Sequence, residues 1–303
     1  MSRAAYHSEE INTVPAPVAY TPPAKLRTLD MRVTGDPLDP DHFGTFIKPS
    51  ELVDAVEISS LNRSELVLYN QLLAHAWNTI EDGKVYRIRK ADLRTSHGSN
   101  DRLHEAFDRL MGGFARVKYR HPTSGKAMTM RIHLLGPNTE EDEDSGYFYY
   151  TFHDSLLKIL EKSQTWARLK SEIMYLLRSK YSIRLYEMIE RRINMNIQSE
   201  YFSIDEFRGL LGVPGDKLPR FADLNKHCLK PALEEVNYLT DFIVDVMAIK
   251  KGRSVEKLQL TWFKKSPAEM RKAYDEREKS RVGRQVRWRG SVEMIRFDDS
   301  PED

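Results

Sequence analysis

The sequence predicts an α+β chain built from two tandem winged-helix domains, with a disordered N-terminal leader and a basic C-terminal tail. Three observations carry this prediction. The order helix, short strand, helix-turn-helix and hairpin runs once from Asn62 to Leu134 and again from Lys180 to Phe263. Each hairpin shows two-residue apolar alternation on both sides of a polar tip that contains glycine. The length of 303 residues, with 40% hydrophobic and 30% charged side chains, is enough material for two separate cores.

Residues 1 to about 50 hold Pro15, Pro17, Pro22, Pro23, Pro37, Pro40 and Pro49 with little periodicity, and read as a mobile leader. The first winged helix is then assigned to 51–160. Asn62 and Glu65 have capping-box spacing, and Leu66, Tyr69, Leu72, Leu73, Ala76 and Trp77 recur at helical intervals. Val85–Ile88 reads as a strand, Lys90–Arg94 as a short helix, Thr95–Gly98 as a polar turn and Ser99–Met111 as a second helix. That helix turns Leu103, Ala106, Phe107 and Leu110 inward and Arg102, Glu105, Asp108 and Arg109 outward. Ala115–Arg120 and Met128–Leu134 form the hairpin, the wing. Glu140–Asp144 is an acidic loop, read as solvated surface. Tyr147–Phe152 reads as a strand, and Ser155–Glu161 and Leu169–Leu177 as helices that join the halves.

The second winged helix is assigned to 161–265. Its first helix runs from about Lys180 to Ile193, with Ile183, Tyr186, Met188 and Ile189 apolar. Tyr201-Phe202 is a strand, and Ser203 with Glu206 is a second capping box opening a helix that stops at Gly212. A long helix from about Arg220 to Asn237 follows, with Phe221, Leu224, Cys228, Ala232 and Val236 as its core face. Phe242–Ile249 and Val255–Phe263 alternate around Lys250-Lys251-Gly252-Arg253 as the second wing. The tail, 266–303, holds a helix over Pro267–Ser280, then Arg281, Arg284, Arg287 and Arg289, and an acidic end at Asp298-Asp299. Those arginines either clamp DNA or pair with acidic neighbours.

Composition excludes several classes. One cysteine, Cys228, forms no internal disulfide, which favours a reducing, cytoplasmic setting. No run approaches the roughly 18 apolar residues of a membrane span, and no export signal opens the chain. Net charge is only +2, yet Trp166–Lys265 carries 18 Lys and Arg against 13 Asp and Glu, so the second half is the phosphate-facing one. The histidines form no His-x-His pair, His104-Glu105 lacks a second zinc-protease histidine, and no phosphate-binding Gly-x-x-x-x-Gly-Lys loop exists. No catalytic residue, metal site or cofactor is therefore expected.

The second helix of a helix-turn-helix enters the major groove, where Arg reads guanine, Asn reads adenine, and Lys contacts guanine or phosphate. On that basis Arg220, Asn225, Lys226 and Lys230 are the candidate readers. Lys250, Lys251 and Arg253 at the wing tip are candidate backbone contacts, since three cations gather there. Arg102 and Arg109 are weaker candidates, offset by Glu105 and Asp108. Ordinary solvated surface is the alternative for each.

Three stretches in register carry a family resemblance. Leu177–Glu187 resembles the segment that opens the second winged helix of the Rep initiators of theta-replicating, iteron-containing plasmids. Phe202–Gly212 is similar to the family's first motif helix, Leu229–Asn237 to its recognition-helix ending with Pro231 in place, and Lys250–Arg253 to its wing. The resemblance implies a monomer that binds directly repeated double-stranded sites at a plasmid origin, opens the origin, and recruits the host's initiator protein and replicative helicase. It also implies a homodimer, formed through the first domain, that represses the protein's own gene at an operator inverted repeat. Two helices in successive major grooves would span roughly 20 bp. A transcriptional repressor on the same folds, without a replication role, stays open as the alternative.

Overall fold

The computed structural model describes residues 44–288 apart from 56, 59–60, 78–79, 81–83, 94–99, 121–123, 140–145 and 164. The leader before Gly44, the turn Thr95–Gly98, residues 121–123 of the first wing's tip, the acidic loop, Arg289 and the acidic end lie outside the described residues.

The first unit opens with strand β1 (Thr45–Pro49), helix α1 (Ser50–Val53) and the short strand β2 (Glu57–Ile58). Helix α2 (Arg63–Ala76) starts on the expected capping box: Asn62 accepts from the Glu65 N–H at 3.1 Å, and the Glu65 carboxylate accepts from the Asn62 N–H at 2.7 Å. Strand β3 (Tyr86–Arg89), helices α3 (Lys90–Leu93) and α4 (Asn100–Met111), and the hairpin β4 (Phe114–Arg120) and β5 (Ala127–His133) follow in the expected order. Strands β6 (Asn138–Thr139) and β7 (Tyr147–Tyr150) and helix α5 (Asp154–Lys162) complete the unit.

The described chain begins inside the stretch read as leader. β1 is buried from Phe46 onward and pairs antiparallel with β8 (Trp166–Lys170), Thr45 opposite Lys170 and Pro49 opposite Trp166. This also corrects the helix expected over Leu169–Leu177: Leu169 and Lys170 end a strand, and helix α6 covers only Ser171–Leu176. The reason is periodicity. Trp166–Lys170 buries alternate residues, Ala167 and Leu169, as a strand does.

The second unit is helix α7 (Lys180–Arg192), strand β9 (Ser199–Ser203), helix α8 (Ile204–Leu210), a long helix in three parts, and the wing. The long helix comprises α9 (Phe221–Leu224), a π-helical turn (Asn225–Leu229) and α10 (Lys230–Leu239). Strands β10 (Phe242–Lys251) and β11 (Ser254–Lys264) form the wing, with β9 on the far side in the order β10-β11-β9. Helices α11 (Pro267–Glu278) and α12 (Arg284–Trp288) follow.

Element order repeats between the units, but strand pairing does not. In the second unit the strand after the first helix, β9, joins the wing. In the first, β3 leaves the wing and pairs with β7, Tyr86 opposite Tyr150, while the wing hairpin takes β2 instead. The aromatic strand Tyr147–Tyr150 accounts for this: Phe148 stacks on Phe107 of α4 at 4.2 Å, and Tyr150 packs against Tyr86 at 5.4 Å.

The units meet at a buried polar joint. Lys48 Nζ lies 2.7 Å from Glu187 Oε1, Asn70 Nδ2 donates to the same oxygen at 2.9 Å, and Arg184 Nη1 reaches Glu187 Oε2 at 3.0 Å. Arg184 Nη2 donates to Val53 O at 2.8 Å, at the end of α1, and its Nε to Leu210 O at 3.0 Å, at the end of α8. Positive charge at helix C-termini is favourable. Arg192 adds Asp54 at 2.8 Å and Glu200 at 2.6 Å. One helix, α7, thus carries Arg184, Glu187 and Arg192, which hold the first unit to the second. Among the described residues no helix is long and apolar enough to cross a membrane.

Candidate nucleic-acid interface

The helix-turn-helix of the second unit is built by local chemistry. Ser203 caps α8, accepting from the Glu206 N–H at 3.2 Å, and Phe207 and Leu210 bury the helix. Gly212 ends it at φ +68°, a left-handed position that suits a residue without Cβ. The turn that follows is held by one side chain, the buried Arg208. Its Nη2 donates to Lys217 O at 2.5 Å and Pro214 O at 3.3 Å, and its Nη1 donates to Leu218 O. Leu218 sits at φ +52°, the only non-glycine described with positive φ. Arg208 therefore sets where the next helix begins.

Arg220 occupies the N-cap of that helix and is exposed. Leu224, Cys228, Leu229, Ala232, Val236 and Leu239 form its buried side, and Asn225, Lys226, His227 and Lys230 are exposed. The π turn lies immediately before Pro231. The Lys230 N–H bonds to Asn225 O, five residues back, and Pro231 has no N–H to offer His227. Widening the turn relieves the clash of the proline ring with the His227 carbonyl. It also rotates Asn225 and Lys226 relative to everything after Lys230.

The wing brings Lys250, Lys251 and Arg253 to one exposed tip, where Gly252 takes φ +63° and the pairing shifts between Ile249 and Lys250. Only a loose 3.9 Å approach joins Lys251 to Glu256. Beneath the wing, Leu258, Leu260 and Trp262 are buried, and Trp262 Nε1 donates to Arg192 O at 3.1 Å.

The candidates of the first unit are placed differently. Arg109 lies 2.7 Å from the buried carboxylate of Glu65 and 3.1 Å from Glu105, so it ties α4 to the start of α2. Arg102 is exposed on α4. The seven candidates of the second unit fall on its recognition helix and wing, and the two of the first stand on a separate helix.

Residues beyond the motif fasten the recognition helix. Lys265 donates to Thr240 O at 2.8 Å and to Asn237 O, and Arg277 donates to Leu239 O at 2.7 Å, supplying cations to the helix C-terminus. Arg277 also meets Asp241 at 2.5 Å and Lys170 meets it at 2.8 Å. Burial alone would push the Asp241 carboxyl up, but these two cations hold it below its ordinary value. Two of the tail arginines, Arg284 and Arg287, turn inward. Arg284 is buried with Nη1 3.4 Å from Leu176 O, and Arg287 Nη2 reaches Glu276 at 2.8 Å. Arg281 is exposed.

Trp288 stacks flat on Tyr238, centroids 4.6 Å apart at 4°. Trp288→Ala is expected to lower the unfolding free energy by about 1–2 kcal/mol, the scale of one aromatic pair with some buried area. Thermal denaturation checks it; an unchanged melting temperature would show that α12 does not support the recognition helix. The sequence held no signal for these braces beyond the polarity of the tail, and Arg208 was hidden among exposed-looking helix positions.

Comparison with known proteins also finds two domains in order, with the first match running on through most of α7. The family model described as initiator replication protein, WH1, matches residues 45–190, and that described as initiator Rep protein, WH2, matches 203–262. Among solved structures, that of the Pi initiator protein in complex with iteron DNA is similar over 74% of this chain and 98% of its own, at TM-score 0.52 and 19% identity. The structure of RctB domains 2–3 is similar over 68% of this chain and 83% of its own, at TM-score 0.37 and 13% identity. No curated protein matches the chain. Two winged helices in tandem, each matching its own model in order, place this chain in the family of initiator Rep proteins.

Proposed function

We propose that this chain initiates plasmid replication by binding iteron repeats of double-stranded DNA as a monomer. In this reading the helix from Arg220 onward enters a major groove, the wing cations meet the backbone, and α4 of the first unit enters the neighbouring groove. Origin opening and recruitment of the host's initiator protein and replicative helicase follow from binding, and a homodimer represses the protein's own gene. The protein acts by binding rather than catalysis, in the cytoplasm. One observation carries the reading: Arg220, Asn225, Lys226 and Lys230 stand exposed on a helix whose opposite side is buried, and Lys250, Lys251 and Arg253 stand exposed at the tip of the wing that follows it. The iteron complex of the similarly folded Pi initiator supports the choice of ligand.

The test is a titration onto a duplex carrying the direct repeats beside the gene, against a scrambled duplex, at several salt concentrations. Binding should favour the repeats and weaken steeply with salt. Arg220→Ala with Lys226→Ala should reduce affinity at least tenfold and flatten the salt slope by about 0.9 for each phosphate that is no longer neutralised. Equal, weak binding to both duplexes would sink the proposal.

A further inference from the structure

Beside the recognition helix runs an open groove of about 460 Å³, lined in part by Asn225, Lys230, Asn237 and Tyr238. One of these lining residues, Asn237, also reaches the outer edge of β10, the last strand on that side of its sheet. Asn237 covers the first position of this edge: its Nδ2 donates to Val244 O at 2.8 Å and its Oδ1 accepts from the Val244 N–H at 2.7 Å. Strand alternation turns the backbone groups of Val246 and Ala248 the same way, and no backbone partner among the described residues meets them there. Such an edge is a template for an extended segment.

The chain itself arrives at this groove. Trp288, the last described residue, stacks on the groove-lining Tyr238, whose hydroxyl donates to Trp288 O at 3.0 Å. Residues 289–303 continue from that point. They contain the apolar positions Val292, Met294, Ile295 and Phe297, then Asp298, Asp299, Glu302 and Asp303 with no basic residue after Arg296. Length fits as well. The ten residues Phe242–Lys251 and the ten residues 289–298 each span about 33 Å when extended. The acids then come level with Lys250, Lys251 and Arg253.

We infer that residues 289–303 dock along the edge of β10, their acidic end against the wing-tip cations, and compete with duplex DNA for the recognition groove. The competition rests on the DNA-binding reading above; the docking does not. Opposite charge supplies the attraction, and the tether supplies the concentration. With about 1 mM effective concentration from a short linker, a docked segment with an intrinsic dissociation constant near 0.1 mM suppresses DNA binding about tenfold.

The experiment uses the full chain and a variant carrying Asp298→Asn, Asp299→Asn, Glu302→Gln and Asp303→Asn. Amide hydrogen exchange is followed at Val246 and Ala248, and affinity for a scrambled duplex is measured at low salt. Exchange at both amides should rise about tenfold in the variant, and its duplex affinity should rise about tenfold. Equal exchange in the two proteins overturns the docking, and any gain in affinity then reflects removal of distant charge. Changed exchange with unchanged affinity, while both proteins bind the duplex, overturns the competition. If neither protein binds any duplex yet exchange responds, the DNA reading fails and the docking stands.

Discussion

Glu187→Gln is expected to lower the unfolding free energy by about 3–5 kcal/mol, the cost of removing one partner from a buried ion pair. Burial alone would push the Glu187 carboxyl up, but the ammonium of Lys48 and the guanidinium of Arg184 hold it below its ordinary range, so the native state keeps it ionised. Gln preserves the shape and the bond from Asn70, yet leaves two buried cations without a counterion. Arg184 retains its carbonyl partners at Val53, Ala55 and Leu210. Lys48 keeps only neutral acceptors, the glutamine oxygen in place of Glu187 Oε1 and Asn70 Oδ1 at 3.2 Å. Burial lowers the Lys48 pKa, and in the variant the native state releases this proton more readily. The unfolded chain then binds more protons than the native one, so the deficit shrinks as pH rises toward the ordinary lysine value. Adding Lys48→Met to Glu187→Gln should recover most of the loss at neutral pH. Urea denaturation of the wild type, the single variant and the double variant at two pH values is the check. A loss below about 1 kcal/mol in the single variant would show that this joint does not hold the units together.

That joint also marks the boundary of what sequence shows. The capping box at Asn62, the Ser203 cap, the recognition helix and the second wing rest on residues within a few positions of one another, where spacing reveals them. Lys48 and Glu187 lie 139 positions apart, and nothing local couples them. Lys48 stands next to Pro49 at the end of a proline-rich stretch, which hid β1. In α7 the apolar positions Ile183, Tyr186, Met188 and Ile189 are buried as their spacing requires, but Arg184 and Glu187 are buried too. Charge predicts exposure only while a partner is unknown. The same limit governs Arg109, whose outward placement on α4 follows from helical period. Its engagement with Glu65 depends on how α2 and α4 cross. For the recognition helix, period identified the exposed residues, but Pro231 carried a consequence that period does not express.

Pro231→Ala is expected to reduce affinity for the specific duplex about 100-fold while leaving stability unchanged or slightly higher. The π turn exists where the proline cannot donate to His227, and Lys230 bonds to Asn225 in its place. Alanine restores the donor and removes the ring, so the helix can close into regular α geometry from Phe221 to Leu239. Loss of the π turn changes the register by one residue, about 100° of rotation, between the segment bearing Asn225 and Lys226 and the segment bearing Lys230. The buried pair Cys228-Leu229 lies within the wide turn. In the variant either these residues keep their places and the N-terminal half turns, or the reverse, and in both cases the reading face is split. Removing two base interactions worth about 1–3 kcal/mol each amounts to about 100-fold. Nonspecific affinity should fall far less, since the number of cations is the same. Duplex titrations with specific and scrambled sites, beside a denaturation curve, separate the two effects. A variant that retains full discrimination would show that Asn225, Lys226 and Lys230 contribute charge alone, with the wing and the first unit supplying the sequence reading.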